Sequence, residues 1–315
     1  MHIFTVIHPV QHYNSYRQYL KKKFGTAVLK IPLSGGFSCP NRDGTKSSEG
    51  CLFCDNRSFS PAALREENPK AQLLDVINKV KHKYHAFIPY LQPFSNTYGP
   101  VERLREVYEP LLDVENVVGI AIGTRPDCFT GGVVEYLADL SKRTYLSVEL
   151  GLQSAHDTTL HAINRGHTAN EFESIVEKLA AYSIETVAHV MLGFPGESDE
   201  MMMDTARFLA GLPVSGVKIH QVMIIRGTAF EQLYNDKKIL PLNLDRYSDL
   251  LCRFLELLRP DQLIHRIVAD STIEHGLIAP LWSADKSKTL SCIHNYMDVT
   301  NCVQGRIYLS EKNYK

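Results

Sequence analysis

No run in this chain approaches the roughly 18–20 apolar residues of a membrane-spanning helix. The start, Met1-His2-Ile3-Phe4-Thr5-Val6-Ile7-His8-Pro9, lacks the basic leader and long apolar stretch of a secretion signal. Neither sign of charge is in excess: 34 Lys plus Arg stand against 35 Asp plus Glu, a net of −1. A generally basic nucleic-acid coat is thereby excluded, and only a local basic patch remains open. There is no internal repeat and no low-complexity tract, and the composition excludes collagen-like, coiled-coil and disordered classes. No G-x-G-x-x-G follows an apolar run, and the Lys of a G-x4-G-K-[ST] phosphate loop is missing. What remains is an ordinary soluble chain of 315 residues, long enough for one large α/β domain or two average ones. The absence of a signal predicts a cytoplasmic protein with no membrane partner.

Seven cysteines are present. In a reducing compartment thiols stay free, bind metal or catalyse, and an odd number cannot all pair.

Apolar runs with strand character occupy 27–34, 86–94, 116–124, 145–153, 185–194 and 214–225. They are rich in Val, Ile, Leu and Tyr and bounded by Gly, Pro or Asn. Helical patterns fill 71–85, 100–112, 131–142, 169–182 and 198–212. Alternating β and α predicts a parallel sheet. In the fourth run Leu146, Val148, Leu150 and Leu152 share one face, and Ser147, Glu149, Gly151 and Gln153 the other. In the fifth, Ala188, Val190 and Leu192 oppose His189, Met191 and Gly193. In the sixth, Val217 and Ile219 oppose Lys218 and His220. A strand covered by helices on both faces reads as continuously apolar. One apolar and one polar or small face fits a barrel with a ligand cavity inside. The expected fold is therefore α/β, a partial (β/α)6 TIM-type barrel over 27–240. A short N-terminal helix falls within 1–26, and a C-terminal extension, 241–315, packs on the barrel. His189, Lys218 and His220 line the cavity by alternation.

The loop after the first run reads Gly35-Gly36-Phe37-Ser38-Cys39-Pro40-Asn41-Arg42-Asp43-Gly44-Thr45, then Gly50-Cys51-Leu52-Phe53-Cys54. The spacing is C-x11-C-x2-C. Three readings compete: buried thiols, zinc with a distant fourth ligand, and a 4Fe–4S cluster held by three cysteines with one iron open. Three cysteines within 16 residues on a loop of turn formers favour the cluster. Cys128, Cys252, Cys292 and Cys302 have no short ligand spacing.

Further segments follow in order: Gly123-Thr124-Arg125-Pro126-Asp127, Glu149-Leu150-Gly151-Leu152-Gln153-Ser154, Ile163-Asn164-Arg165-Gly166-His167 and Gly193-Phe194-Pro195-Gly196-Glu197. With the three-cysteine loop they resemble the radical SAM superfamily, in its YhcC/YtqA-type branch of Elongator-like proteins. That branch carries the long first gap. The resemblance implies that Cys39, Cys51 and Cys54 hold a 4Fe–4S cluster whose open iron binds S-adenosylmethionine. One electron then cleaves the S–C5′ bond, and the 5′-deoxyadenosyl radical abstracts a hydrogen atom. It places Phe53 beside the adenine. Asn96 and Thr97 stand where relatives contact the methionine amino group. Glu149 and Gln153 flank Gly151 as candidates for the ribose hydroxyls, the alternative for Glu149 being a buried ion pair. Arg125 and Arg165 are candidates for the methionine carboxylate. Asp127 is alternatively a cap for the next helix. His189 and Gly193 complete the cofactor-binding set. The resemblance further implies a tRNA substrate modified at the wobble uridine, an electron donor such as flavodoxin or ferredoxin, and a downstream transferase. Basic residues at 21–23, at 79–83 and at Arg253, Arg259 and Arg266 are the candidate RNA contacts. A small metabolite or peptide substrate is the first alternative. A zinc-binding barrel hydrolase or binding module is the second.

Metal analysis separates these readings. Protein purified without oxygen is expected to be brown, with about four irons and four sulfides per chain. One zinc and no iron would overturn the cluster.

Overall fold

The computed structural model describes residues 11–60, 62, 65 and 68–313. The segment 1–9, which carries the reading against a secretion signal, lies outside the described residues. Among the described residues no helix is long and apolar enough to cross a membrane.

The chain begins with α1 (Tyr16–Phe24) and β1 (Val28–Leu33), then α2 (Asn56–Phe59) and α3 (Pro69–Val80). Strands and helices then alternate: β2 (Ala86–Leu91), α4 (Val101–Leu112), β3 (Gly119–Thr124), α5 (Val133–Arg143) and β4 (Tyr145–Gln153). Next come α6 (Asp157–Ala162), α7 (Ala169–Ala181), β5 (Glu185–Leu192), α8 (Asp199–Gly211) and β6 (Gly216–Gln221). The remainder holds β7 (Ile224–Ile225), α9 (Ala229–Asn235), α10 (Leu244–Leu257), β8 (Leu263–Arg266) and β9 (Leu277–Ala279). It ends with a 3-10 turn (Leu281–Ala284), α11 (Lys286–Thr300) and α12 (Arg306–Asn313).

Local chemistry sets several helix starts. Asn68 accepts from Ala71 N ahead of Pro69, whose missing N–H costs nothing in the first turn. Thr168 and Glu171 form a reciprocal capping box on α7. Ser198 and Asn243 cap α8 and α10 through their side chains.

The main sheet has seven strands in the order β1-β2-β3-β4-β5-β6-β8. Every neighbouring pair is parallel. β1 and β8 form its two edges, so the sheet is a half-barrel. The partial barrel expected from alternation is present, with one strand more. The seventh strand comes from beyond residue 240, where β8 pairs beside β6. Its four residues are too short a run to show an alternation of their own.

The outer face packs on helices. Leu146, Val148, Leu150 and Leu152 of β4 join Ala188, Val190 and Leu192 of β5 and Val217 and Ile219 of β6 in one buried core. The α10 residues Phe254 and Leu255 belong to that same core. Inside the barrel, a smaller apolar group holds Tyr16 and Leu20 of α1 against Ile88, Tyr90, Ala121 and Leu263. Tyr16 stacks on His265 with ring centroids 3.6 Å apart. The N-terminal helix is thus the plug at the lower end of the barrel.

A shared core predicts shared unfolding. Phe254→Ala is expected to lower stability by about 3–5 kcal/mol in one cooperative calorimetric transition. A separate low-temperature transition would contradict it.

Candidate functional site

The upper end of the barrel opens into a cavity. Its wall includes Cys39, Cys51, Phe53 and Cys54 from the loop after β1. Arg125, Glu149, Gly151, Gln153, Arg165, His189, Lys218 and His220 complete the expected set that it brings together.

The cysteine loop is fixed by the segment after α6. Asn41 Nδ2 donates to Asn164 O at 2.6 Å and to Arg165 O at 3.1 Å. Asn164 Nδ2 donates to Gly50 O at 2.8 Å, and Leu52 N to Ile163 O at 3.1 Å. Gly166 has φ +73°, and a Cβ there would lie 2.5 Å from Asn41 Oδ1. Only glycine fits that turn without displacing Asn41. The N-R-G-H segment is therefore a clamp on the loop that carries the thiols.

Around Cys51 the donors converge. Arg165 Nη1 lies 3.6 Å, Asn41 Nδ2 3.6 Å and Arg125 Nη1 4.0 Å from its sulfur. Arg42 donates to the Cys54 carbonyl. None of the cysteines is in a disulfide. Burial pushes the Cys54 thiol up to about 11, and its neighbour Cys51 adds to the rise. Among the described residues, no three His, Cys, Asp or Glu side chains converge on a single-ion site.

The two arginines differ from expectation. Asp127 takes the Arg125 fork at 2.9 Å on both oxygens, and Arg125 Nη2 also reaches Arg165 O at 2.8 Å. Lys46 joins Asp127 at 2.7 Å. Burial would raise the Asp127 carboxyl, but Arg125 and Lys46 outweigh it and hold it at about 2. Asp127 is thus an ion-pair partner and not a helix cap. The N-cap of α5 is Gly132. Arg165 gives Nη2 to Gly151 O at 2.6 Å and Nε to His167 Nε2 at 2.9 Å. That bond leaves the His167 proton on Nδ1, which donates to Thr168 O at 3.1 Å. Burial and the two arginines hold His167 at about 3, neutral at physiological pH. Neither guanidinium presents a free fork to a cofactor carboxylate. Both instead serve the cysteine loop.

Glu149 is fully buried between three basic groups. Lys30 meets Oε1, and on Oε2 Lys218 lies at 3.0 Å and His189 Nε2 at 2.6 Å. The buried ion pair is therefore what Glu149 makes, with both oxygens engaged. Burial and the surrounding cations push His189 well below its usual range, so it is neutral and its Nε2–H donates. Gln153 ends β4 with φ 79°, a left-handed conformation that is rare for a side-chain-bearing residue.

Asn96, Thr97 and Gly193 fall outside the cavity wall. Asn96 Nδ2 donates to the carbonyls of Leu91, Pro93 and Gly123 at 2.8–3.0 Å. Thr97 Oγ1 meets Thr124 Oγ1 at 2.6 Å. Both tie the end of β2 to β3, and their neighbour Ser95 is the one that faces the cavity. Gly193, at φ +97°, lies under Leu242.

The expected basic patch disperses. Arg253 pairs with Asp199 at 3.0 Å, Arg259 binds the carbonyls that end α8, and Arg266 lines the cavity. Lys79 pairs with Asp75, while Lys21 and Lys22 remain exposed. Sequence reasoning missed Lys30, Asn41 and Tyr90 as parts of the site, and read Arg266 as an RNA contact. The alternation Val28-Lys30-Pro32 already placed Lys30 on the inward face. Phe53 lies in an aromatic group with Phe194 at 5.8 Å and Phe230 at 6.3 Å.

Known proteins place this architecture. The radical SAM superfamily model matches residues 41–209, and the Radical_SAM C-terminal domain model matches residues 214–298. Members of that superfamily bind a 4Fe–4S cluster and S-adenosylmethionine. YtqA of Bacillus subtilis is 40% identical over 299 residues, spanning 94% of this chain and 92% of that one. A tRNA uridine(34) acetyltransferase of Dehalococcoides mccartyi is 27% identical over 49% of this chain and 33% of its own. Elp3 of the archaeon Methanocaldococcus infernus shares the fold at a TM-score of 0.66 and 16% identity, over 88% of this chain and 64% of that one. The zinc hydrolase reading gives way to these matches: the chain belongs to the radical SAM superfamily, in its YhcC/YtqA branch.

Proposed function

We propose that Cys39, Cys51 and Cys54 hold a 4Fe–4S cluster at the upper end of the barrel, with S-adenosylmethionine beside it. The observation that carries this reading is the set of unpaired thiols on one cavity, with three N–H donors directed at Cys51 sulfur. Buried thiolates gain from such donors and from cluster iron, whereas free thiols there gain little. When bound, the pair of cofactors supplies one-electron reduction and hydrogen-atom abstraction.

The chain's own residues do the rest. Arg165, Arg125 and Asn41 hold the ligand loop and offset its negative charge. Phe53, backed by the buried rings of Phe194 and Phe230, keeps water out and offers a flat surface to an adenine. Gly151 gives the Arg165 guanidinium its place against β4, since a side chain there would strike Arg165 and lie 2.7 Å from Gln153 Nε2. Gln153 is the polar contact for the ribose, because Glu149 is already committed.

The substrate reading is a uridine of tRNA. It is supported by the likeness to the tRNA uridine(34) acetyltransferase and by the exposed lysines of α1. An electron donor of flavodoxin or ferredoxin type supplies the electron, and a separate transferase completes the modification. Seven unpaired thiols suit a reducing cytoplasm.

Two measurements test this. Cys51→Ala, reconstituted with iron and sulfide, is expected to lose the cluster absorbance and all 5′-deoxyadenosine formation with dithionite and S-adenosylmethionine. Full turnover by that variant would remove the cluster assignment. Mass spectrometry of tRNA nucleosides from cells with and without the gene is expected to show one altered uridine derivative. An unchanged profile would leave the small-metabolite or peptide substrate.

A further inference from the structure

The floor of the cavity gathers more basic groups than its one carboxylate can pair. Lys218 of β6 and Arg266 at the end of β8 line it, and Lys30 of β1 lines the adjoining hollow that shares Tyr90, Glu149, Lys218 and Arg266 with it. One carboxylate, Glu149, stands among them. At the rim Asp270 is committed to Lys286 at 2.7 Å. Among the described residues, the Arg266 guanidinium has no hydrogen-bond or ion-pair partner. His220 Nε2 is buried without a partner, and so is Ser147 Oγ, two residues below Glu149 on β4. Tyr90 adds a hydroxyl 3.2 Å from Lys218 Nζ. Burial, then repulsion from Arg266, lowers the proton affinity of Lys218, and burial with both neighbouring cations lowers that of Lys30. The group that would relieve this is a further anion.

The strand geometry says where such an anion belongs. Gly151, two residues along β4 from Glu149, marks the level of the thiols, because its carbonyl binds the arginine that reaches Cys51. Two strand residues span about 6.6 Å. The floor therefore lies roughly one small molecule's length beneath the cofactor level.

We infer that this floor is an anion subsite. Arg266, Lys218 and His220 take a carboxylate or phosphate carried by the substrate at the end opposite its reacting carbon. A guanidinium fork matches either group with two parallel hydrogen bonds. The inference rests on the reading that this cavity holds the substrate.

Sodium acetate and inorganic phosphate are the probes, titrated at constant ionic strength into protein with a reconstituted cluster. Thermal stability and calorimetric binding are followed, and iron per chain is measured alongside. A saturable rise in melting temperature is expected for one of the two anions. Preference for acetate assigns a carboxylate, and preference for phosphate a phosphate ester. Arg266→Gln is expected to weaken that binding about tenfold, with Arg266→Lys, which keeps the charge, retaining more. No saturable shift with either anion in the wild type overturns the subsite. Equal binding by Arg266→Gln does so too, as does loss of anion binding under saturating S-adenosylmethionine. Iron at the expected level with no anion binding sinks the subsite alone. Anion binding without iron sinks the cofactor reading alone.

Discussion

One buried carboxylate ties this barrel together across its interior. Glu149 on β4 draws Lys30 from β1, His189 from β5 and Lys218 from β6 onto two oxygens. Charges taken from water cost several kcal/mol each, and they are tolerated only where partners and hydrogen bonds are complete. Without Glu149, Lys30 and Lys218 would face each other and Arg266 in the buried interior of the barrel. The open half-barrel would then carry uncompensated cations in its centre. The carboxylate thus sets how near β1 and β6 approach, and with them the width of the cavity.

Much of this was legible in the sequence because strands have a period of two. The inward set Glu149, Gly151, Gln153, His189, Lys218 and His220 followed from alternation alone and lines the cavity. The cysteine spacing identified the upper rim. Partner choice was not legible. Nothing local distinguishes an arginine that waits for a ligand from one already bound by Asp127, two residues away. Asn96 and Thr97 look like ligand contacts because they are small and polar. They bind instead to backbone and side-chain groups of their own strand ends, which only the folded geometry reveals. β8 was hidden for a different reason: four residues are too few for a periodic signal, and its place follows from pairing with β6.

The two ends of the barrel obey different chemistry. At the upper end, guanidinium and amide donors surround sulfur, and the Phe53 group keeps the wall apolar. At the lower end, tyrosine rings face ammonium groups. Lys30 Nζ lies 4.0 Å and Lys218 Nζ 4.8 Å from the Tyr90 ring centroid. Such contacts stabilise a cation by roughly 0.5–2 kcal/mol where water is excluded. The interior is therefore graded along the strands, from soft sulfur at the rim to hard cations at depth.

The plug beneath the barrel has a consequence for the molecule's outside. A half-barrel leaves β1 and β8 with unpaired edges, and a bare edge is a template for another chain's strand. On β8 that edge is taken by the chain's own leading segment. Ser15 forms a parallel bridge with Ile264, and Ile264 N donates to Asn14 O at 2.7 Å. α1 then crosses from β8 to β1 beneath the opening. The helix that closes the cavity from below is thereby also a guard against edge-to-edge association. A chain trimmed past residue 15 would expose backbone hydrogen-bonding groups to its neighbours in the cell before it lost any of its cofactor-facing side chains.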